Sequence, residues 1–312
     1  MDSNGDDGSR PFQLSLIERR LVQSPAAAGE TSPSELLFQH TVLCQASLPY
    51  RNPGDELRQW ERKNGRAHLK VLAGEAMHPE RGELVPVGLP FGPKPRLILS
   101  YLNAEALRTG SPEIEVEDSL TAFVKRIGLD PNGHTIRTVK DQLARLSASI
   151  LRLGVLMEGE RGTRATTLNL PLVEQFELWF PKDSRQRVLW PTTVKLNPTY
   201  FESLQRHAVP LHPHALGALS HNAMALDVYA WLAQRLHRVK PSQPQFITWK
   251  AIKDQFGWHY RDMYKFRQVF KETLRSVLTQ YPSARVETNG GGMTLHHSAP
   301  PVLCRHSLVP LI

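Results

Sequence analysis

Lys250, Lys253, Arg261, Lys265, Arg267, Lys271 and Arg275 crowd seven cations into one short stretch, opposed there only by Asp254, Asp262 and Glu272. Between them Met263, Phe266, Val269, Phe270, Leu274, Val277 and Leu278 recur at spacings of three and four, the period of a helix with one broad apolar face. A helix over residues 261–279 turns Arg261, Lys265, Lys271 and Arg275 largely to the opposite side, with Arg267 and Gln268 at its margin. Such a face suits the major groove of DNA, where arginine forks onto guanine and glutamine onto adenine. A merely solvated basic helix has the same pattern, and the flanking elements favour the groove. Residues 246–249 lean towards a strand, Thr248 is placed to cap a helix running through Phe256, and Gly257 supplies its stop. Behind the basic helix, residues 285–287 and 293–297 flank Thr288-Asn289-Gly290-Gly291-Gly292, a turn whose Asn and Gly tolerate positive φ, so a hairpin is expected. Strand, two helices and hairpin is the order of a winged helix, and the hairpin is its wing.

A second constellation would do covalent chemistry. DNA-nicking initiators and relaxases use a tyrosine beside a metal held by a His-hydrophobic-His pair, and His212-Pro213-His214 with Tyr260 and Tyr264 offers similar parts. The histidines would need a strand, and Pro210 with Pro213 makes residues 207–214 a poor one. Without a third ligand they read as surface histidines. The tyrosines begin the helix assigned to DNA, where aromatic residues pack or touch sugars. Neither G-x-x-x-x-G-K-[ST] nor G-x-S-x-G occurs. The expectation is therefore a protein that is not an enzyme, with no catalytic residue, cofactor or metal, and a nicking enzyme stands as an alternative.

The formal charge of +8 over 312 residues points to a polyanionic partner, nucleic acid before membrane. No stretch approaches the roughly 20 apolar residues of a spanning helix, and the acidic, Gly-rich beginning shows no signal peptide. Cys44 and Cys304 are the only cysteines, read as free thiols in a reducing cytoplasm.

The elements that must hold these residues fall into an expected α+β, mainly helical architecture. Residues 1–35 form a disordered N-terminal arm, with a short amphipathic helix over 12–22. Residues 36–185 form a first winged-helix domain with an N-terminal strand extension, and 186–312 a second. In the first, 36–47 and 67–72 have strand composition. Between them lies a turn-rich segment in which Arg58, Arg62, Lys63 and Arg66 surround Trp60, read as a solvated loop over a packed Trp60. Helices follow over 96–107, 119–127 and 135–151, the middle one capped by Asp118 or Ser119. The last carries Arg137, Lys140 and Arg145 outward with Ile136, Val139, Leu143, Leu146 and Ile150 inward. A strand over 113–117 and a hairpin over 154–158 and 163–170, with Arg161 in its turn, complete the set. Gly128, Val139 and Arg145 match Gly257, Val269 and Arg275 at an offset of 129 to 130 residues, so two tandem winged helices is the economical reading. Residues 173–198 link them, and a helix over 224–236 opens the second.

The runs CQASLPYRNPGDELRQWERKNGRAHLKVLAG, VGLPFGPKPRLILSYLNAEA and EDSLTAFVKRIGLDPNGHTIRTVKDQLARLSASI resemble the plasmid-encoded RepA-type replication initiators of bacterial broad-host-range plasmids. The resemblance covers residues 37–300, and its most specific pieces are PFGPKPRLIL and the FVKRIGL and KDQLARL helices. It implies two winged-helix domains that bind double-stranded DNA at short direct repeats (iterons) in a plasmid origin. It also implies melting of nearby duplex, engagement of the host replication initiator and replicative helicase, and a homodimer through the first domain that binds its own promoter. By the resemblance Arg261, Lys265, Arg267, Gln268 and Lys271 occupy the base-reading helix, and its spacing adds Arg275 as a further candidate DNA contact. Arg137, Lys140 and Arg145 occupy the matching helix of the first domain, and Arg161 its wing. A winged-helix transcriptional regulator is the other non-enzymatic reading; one inverted repeat would be its target, in place of an array of direct ones.

Overall fold

Residues 32–78, 81–116, 119–159, 162–176 and 193–302 are described in the computed structural model. The arm up to residue 31 with its expected helix, Asp118, Arg161, most of the expected linkage and Cys304 lie outside them.

Strand β1 (Leu37–His40) leads directly into a short helix α1 (Thr41–Gln45). The expected strand over 36–47 is cut short because the His40 ring accepts the Val42 amide and starts a helical turn. Strands β2 (Gln59–Asn64) and β3 (Ala67–Leu72) then form an antiparallel hairpin. Thus the last part of the expected loop is a strand, its turn closed by Gly65 at φ 54. Trp60 is buried as expected and donates to the Ser47 carbonyl. A detached two-stranded hairpin, β4 (Glu75–His78) and β5 (Glu83–Pro86), precedes helix α2 (Pro93–Thr109). Strand β6 (Glu113–Glu115) follows, with helices α3 (Leu120–Arg126), capped by Ser119, and α4 (Gly133–Ala148). Helix α4 ends earlier than its apolar pattern suggests: Ile150 is exposed and opens strand β7 (Ile150–Gly159), which pairs with β8 (Gly162–Pro171).

Strands β9 (Val173–Phe176) and β10 (Thr193–Leu196) fall within the expected linkage and join β6 in the order β6-β10-β9. The β7–β8 hairpin instead extends β2 and β3 into a four-stranded sheet. Helix α5 (Pro198–His207) leads to β11 (Ala208–Leu211), helix α6 (Pro213–Leu219) and helix α7 (Ala223–Arg235). Contrary to the proline argument, β11 is a strand. It has one neighbour, β1, with Pro210 opposite Phe38, so the missing amide costs no second ladder. The chain closes with β12 (Gln245–Thr248), helices α8 (Trp249–Phe256) and α9 (Met263–Gln280), and the hairpin β13 (Val286–Thr288) and β14 (Gly292–Leu295). Its three strands are ordered β12-β14-β13. Helix, strand, two helices and hairpin thus occur twice, but only the second hairpin shares a sheet with its own strand. No helix among the described residues is long and apolar enough to cross a membrane.

One hydrophobic cluster runs from Val42 to Leu295 through both units. At its centre Arg96 of α2 meets Asp227 of α7 in a two-bond ion pair of 2.6 and 2.8 Å, with side chains 5% and 8% exposed. The remaining donors reach the carbonyls of Leu48, Pro49 and Gly92. All five guanidinium N–H groups therefore have acceptors, the condition for burying this charge. Nearby, Asn103 bridges the Phe38 carbonyl and the Tyr200 hydroxyl.

Removing one member of the buried pair strands the other. Asp227→Ala is expected to lower the unfolding free energy by about 3–5 kcal/mol, read from urea denaturation. Burial, with His207 second, pushes the His40 imidazole down to about 3. The unfolded imidazole, near 6.5, accepts a proton that the native one refuses. Stability is therefore full above that value and falls as the pH descends from 6.5 towards 3; urea midpoints measured across this window test the sign.

Candidate nucleic-acid interface

Helix α9 is built as its pattern predicts. Asp262 is the N-cap, its carboxylate accepting the Tyr264 and Lys265 amides. Phe266 and Phe270 are buried with Phe256 of α8, at ring-centroid distances of 5.5 and 5.8 Å, and Trp249 meets Phe270 edge-on at 6.0 Å. The helices cross closely at Gly257, where a Cβ would lie 2.3 Å from the Phe266 ring.

Tyr264, Gln268, Lys271 and Arg275 stand at i, i+4, i+7 and i+11 and so form one outward stripe. Lys265 and Glu272 flank it, each bonded to Gln268 at 3.3 and 3.5 Å. Arg261, just before the helix, is exposed. Arg267 is placed differently from the expected base reader. Its guanidinium donates to the Gly290 carbonyl at 3.0 Å and lies 5.2 Å from the centre of the Trp249 ring, fastening the hairpin turn to the helices. Lys271 reaches the same ring at 5.7 Å, and the Trp249 indole donates to the Asn289 carbonyl at 3.0 Å. The turn is not held by positive φ, as its composition suggests; Asn289 Oδ1 accepts the amides of Gly291 and Gly292. Gly292 is required by proximity, since a Cβ there would lie 2.1 Å from the Ile247 carbonyl oxygen.

Of the three cations expected to face outward from α4 in the first unit, only Arg137 is exposed. Lys140 is partly buried, and desolvation lowers its ammonium pKa. Arg145 departs from the outward position expected of it. Its side chain is 11% exposed, paired with Asp141 at 3.0 Å and Asp55 at 2.9 Å, and stacked over Phe91. Asp55 comes from a loop 90 residues away, and no helical period could announce that contact. Arg161 lies outside the described residues.

The cluster around Trp60 is a joint between the units. Arg62 stacks 4.3 Å from the Trp60 ring centre and 4.6 Å from that of Trp258, which follows α8. Gln255 of α8 adds a bond to the Gln45 carbonyl at 3.1 Å. Burial lowers the pKa of Arg62 and of its neighbour His259, the latter also pressed by Arg51 and Arg62. Arg58 is consumed by the carbonyls of Ala73, Gly74 and Val87. Of the residues weighed for nicking, His212 is buried just before α6, contrary to the surface position expected of it, and Tyr260 packs against Phe266.

A family model described as "Plasmid encoded RepA protein" matches residues 89–251, more than half of the chain, and stops inside α8, short of α9. No curated protein matches in sequence. Among solved structures, domains 2 and 3 of RctB are similar, with a TM-score of 0.52 and 11% identity over 81% of this chain and 94% of that one. A structure of selenomethionine derivatives of the same domains gives 0.51 and 10%, over 83% and 97%. At such identities the likeness describes the fold alone.

The roles of two arginines on one helix separate cleanly in stability. Arg267→Ala is expected to cost about 1 kcal/mol and to speed amide exchange of Gly291 and Gly292, whereas Arg275→Ala stays within about 0.5 kcal/mol of the parent; urea denaturation and hydrogen exchange measure both.

Proposed function

The chain belongs to the plasmid encoded RepA proteins, and from that premise we propose that it initiates plasmid replication by binding repeats in the plasmid origin through α9. The observation that carries this reading is the outward stripe of Tyr264, Gln268, Lys271 and Arg275, backed by a phenylalanine core and flanked by a hairpin fixed in place through Arg267. Such a helix enters a major groove with the hairpin along the adjacent backbone. On this reading each unit is a winged helix, the first extended to include β10, and the two stand in tandem. Arg261, Lys265, Gln268, Lys271 and Arg275 face the DNA, while Arg267 aims the wing.

The first unit contributes Arg137 and Lys140 from α4, and Arg161, which follows β7 in the sequence, to a second stretch of backbone. Arg145 holds α4 against the loop of Asp55 and is left out of the interface. Several monomers on direct repeats strain an adjoining A+T-rich segment, where pyrimidine–purine steps unstack cheaply. Binding of the host initiator and replicative helicase, and a homodimer through the first unit that occupies the gene's own promoter, complete the proposal. Both rest on the resemblance to RepA-type initiators.

The test is a nuclease footprint of the protein on the DNA flanking its gene, at near-physiological salt so that backbone attraction does not mask specificity. Regularly phased protection over direct repeats is the expected outcome; one symmetric site or a strand break would overturn the proposal. Lys271→Ala is expected to weaken binding to all sequences alike and to reduce the salt slope by about one, measured by titration at several salt concentrations.

A further inference from the structure

Tyr264 is 79% exposed, the most exposed large hydrophobic side chain among the described residues. Its backbone is nevertheless held by the helix cap, because its amide donates to Asp262 Oδ1 together with that of Lys265. The Tyr264 hydroxyl has no partner among the described residues. Two features bear on what this ring meets. It heads the outward stripe, at the N-terminal end of the helix, the end from which a recognition helix contacts base edges. The Asp262 carboxylate already occupies the amides of that helix end, and its charge opposes a phosphate there. The first turn is thus set against backbone docking and towards the floor of the groove. The polar members beside it are partly engaged: Gln268 lies between Lys265 and Glu272, and Lys271 leans over Trp249.

We propose that Tyr264 is a specificity-determining contact that lays its ring against the C5 methyl group of a thymine in the major groove. This inference rests on the reading that α9 lies in that groove. The thymine methyl is the apolar feature of the groove floor and the natural partner of an apolar side chain. An aromatic ring held in water by a fixed backbone gains from covering it without displacing a hydrogen bond.

The experiment selects binding sites from a randomised duplex pool with the full-length protein and with Tyr264→Ala and Tyr264→Phe. The expected result is a thymine in the motif of the parent and of Tyr264→Phe that is absent from that of Tyr264→Ala. Replacing this thymine by deoxyuridine, which lacks the methyl, should weaken the parent on the order of tenfold and leave Tyr264→Ala nearly unchanged. A motif unaltered in Tyr264→Ala, a loss shared by Tyr264→Phe, or an equal deoxyuridine penalty in parent and Ala variant would overturn the inference. Gln268→Ala, Lys271→Ala and Arg275→Ala are measured in parallel. If they alter binding and Tyr264→Ala does not, only the thymine contact falls; if none of the four does, the reading of α9 falls with it.

Discussion

The Arg96–Asp227 pair is the constraint around which both units are arranged. Each partner sits on the helix that leads its unit's run of helix, strand, two helices and hairpin, and both are almost wholly buried. Buried charge of this kind is tolerated only when every donor and acceptor is met, and the Leu48, Pro49 and Gly92 carbonyls meet the rest. The carbonyls of the segment before α2 are therefore aimed by the arginine as much as the arginine is aimed by them. Hydrophobic burial stabilises the shared core without dictating a unique angle between α2 and α7; a forked guanidinium with fixed acceptors does dictate one. Geometry, more than net stability, is what this interaction contributes.

From that junction the orientation of α9 follows by contact. Helix α9 packs on α7, and Trp231 of α7 meets Phe256 at 5.4 Å, which in turn meets Phe270. A parallel connection runs from β2 to the loop before α9, where Trp60 meets Trp258 edge-on at 4.6 Å with Arg62 over both rings. The outward stripe is thus supported just before its start, through Trp258, and near its middle, through Phe270. Binding surfaces on preorganised elements forfeit less entropy when they engage a ligand.

The sequence made the second unit legible because its signals are local. The period of α9, the Thr248 cap, the Gly257 stop and the turn composition act within a few residues of one another, and the observed elements follow them closely. What escaped was decided at a distance. The chain from Gln59 to Asn64 reads as a charged loop until β3 supplies its ladder, and Pro210 reads as a strand breaker until β11 proves to have one neighbour. Arg145 and Arg267 have the spacing of surface cations, yet each is captured by a group far along the chain, Asp55 and Gly290. Composition identifies a cation and periodicity gives its face; neither says whether a partner waits there. Helix ends show the same limit, since Ile150 continues the apolar pattern of α4 and is nonetheless claimed by the β7 ladder.

The fusion of the two units through one core has a consequence for how the chain is made. Arg96 precedes Asp227 by 131 residues, and β1 likewise precedes its partner β11. At a synthesis rate of about 5–20 residues per second, the nascent first unit waits on the order of ten seconds before the helix that carries Asp227 exists to meet Arg96. Until then the Arg96 guanidinium, in the first turn of α2, lacks its carboxylate partner. The charge that fixes the joint can therefore be buried at low cost only once its partner has left the ribosome.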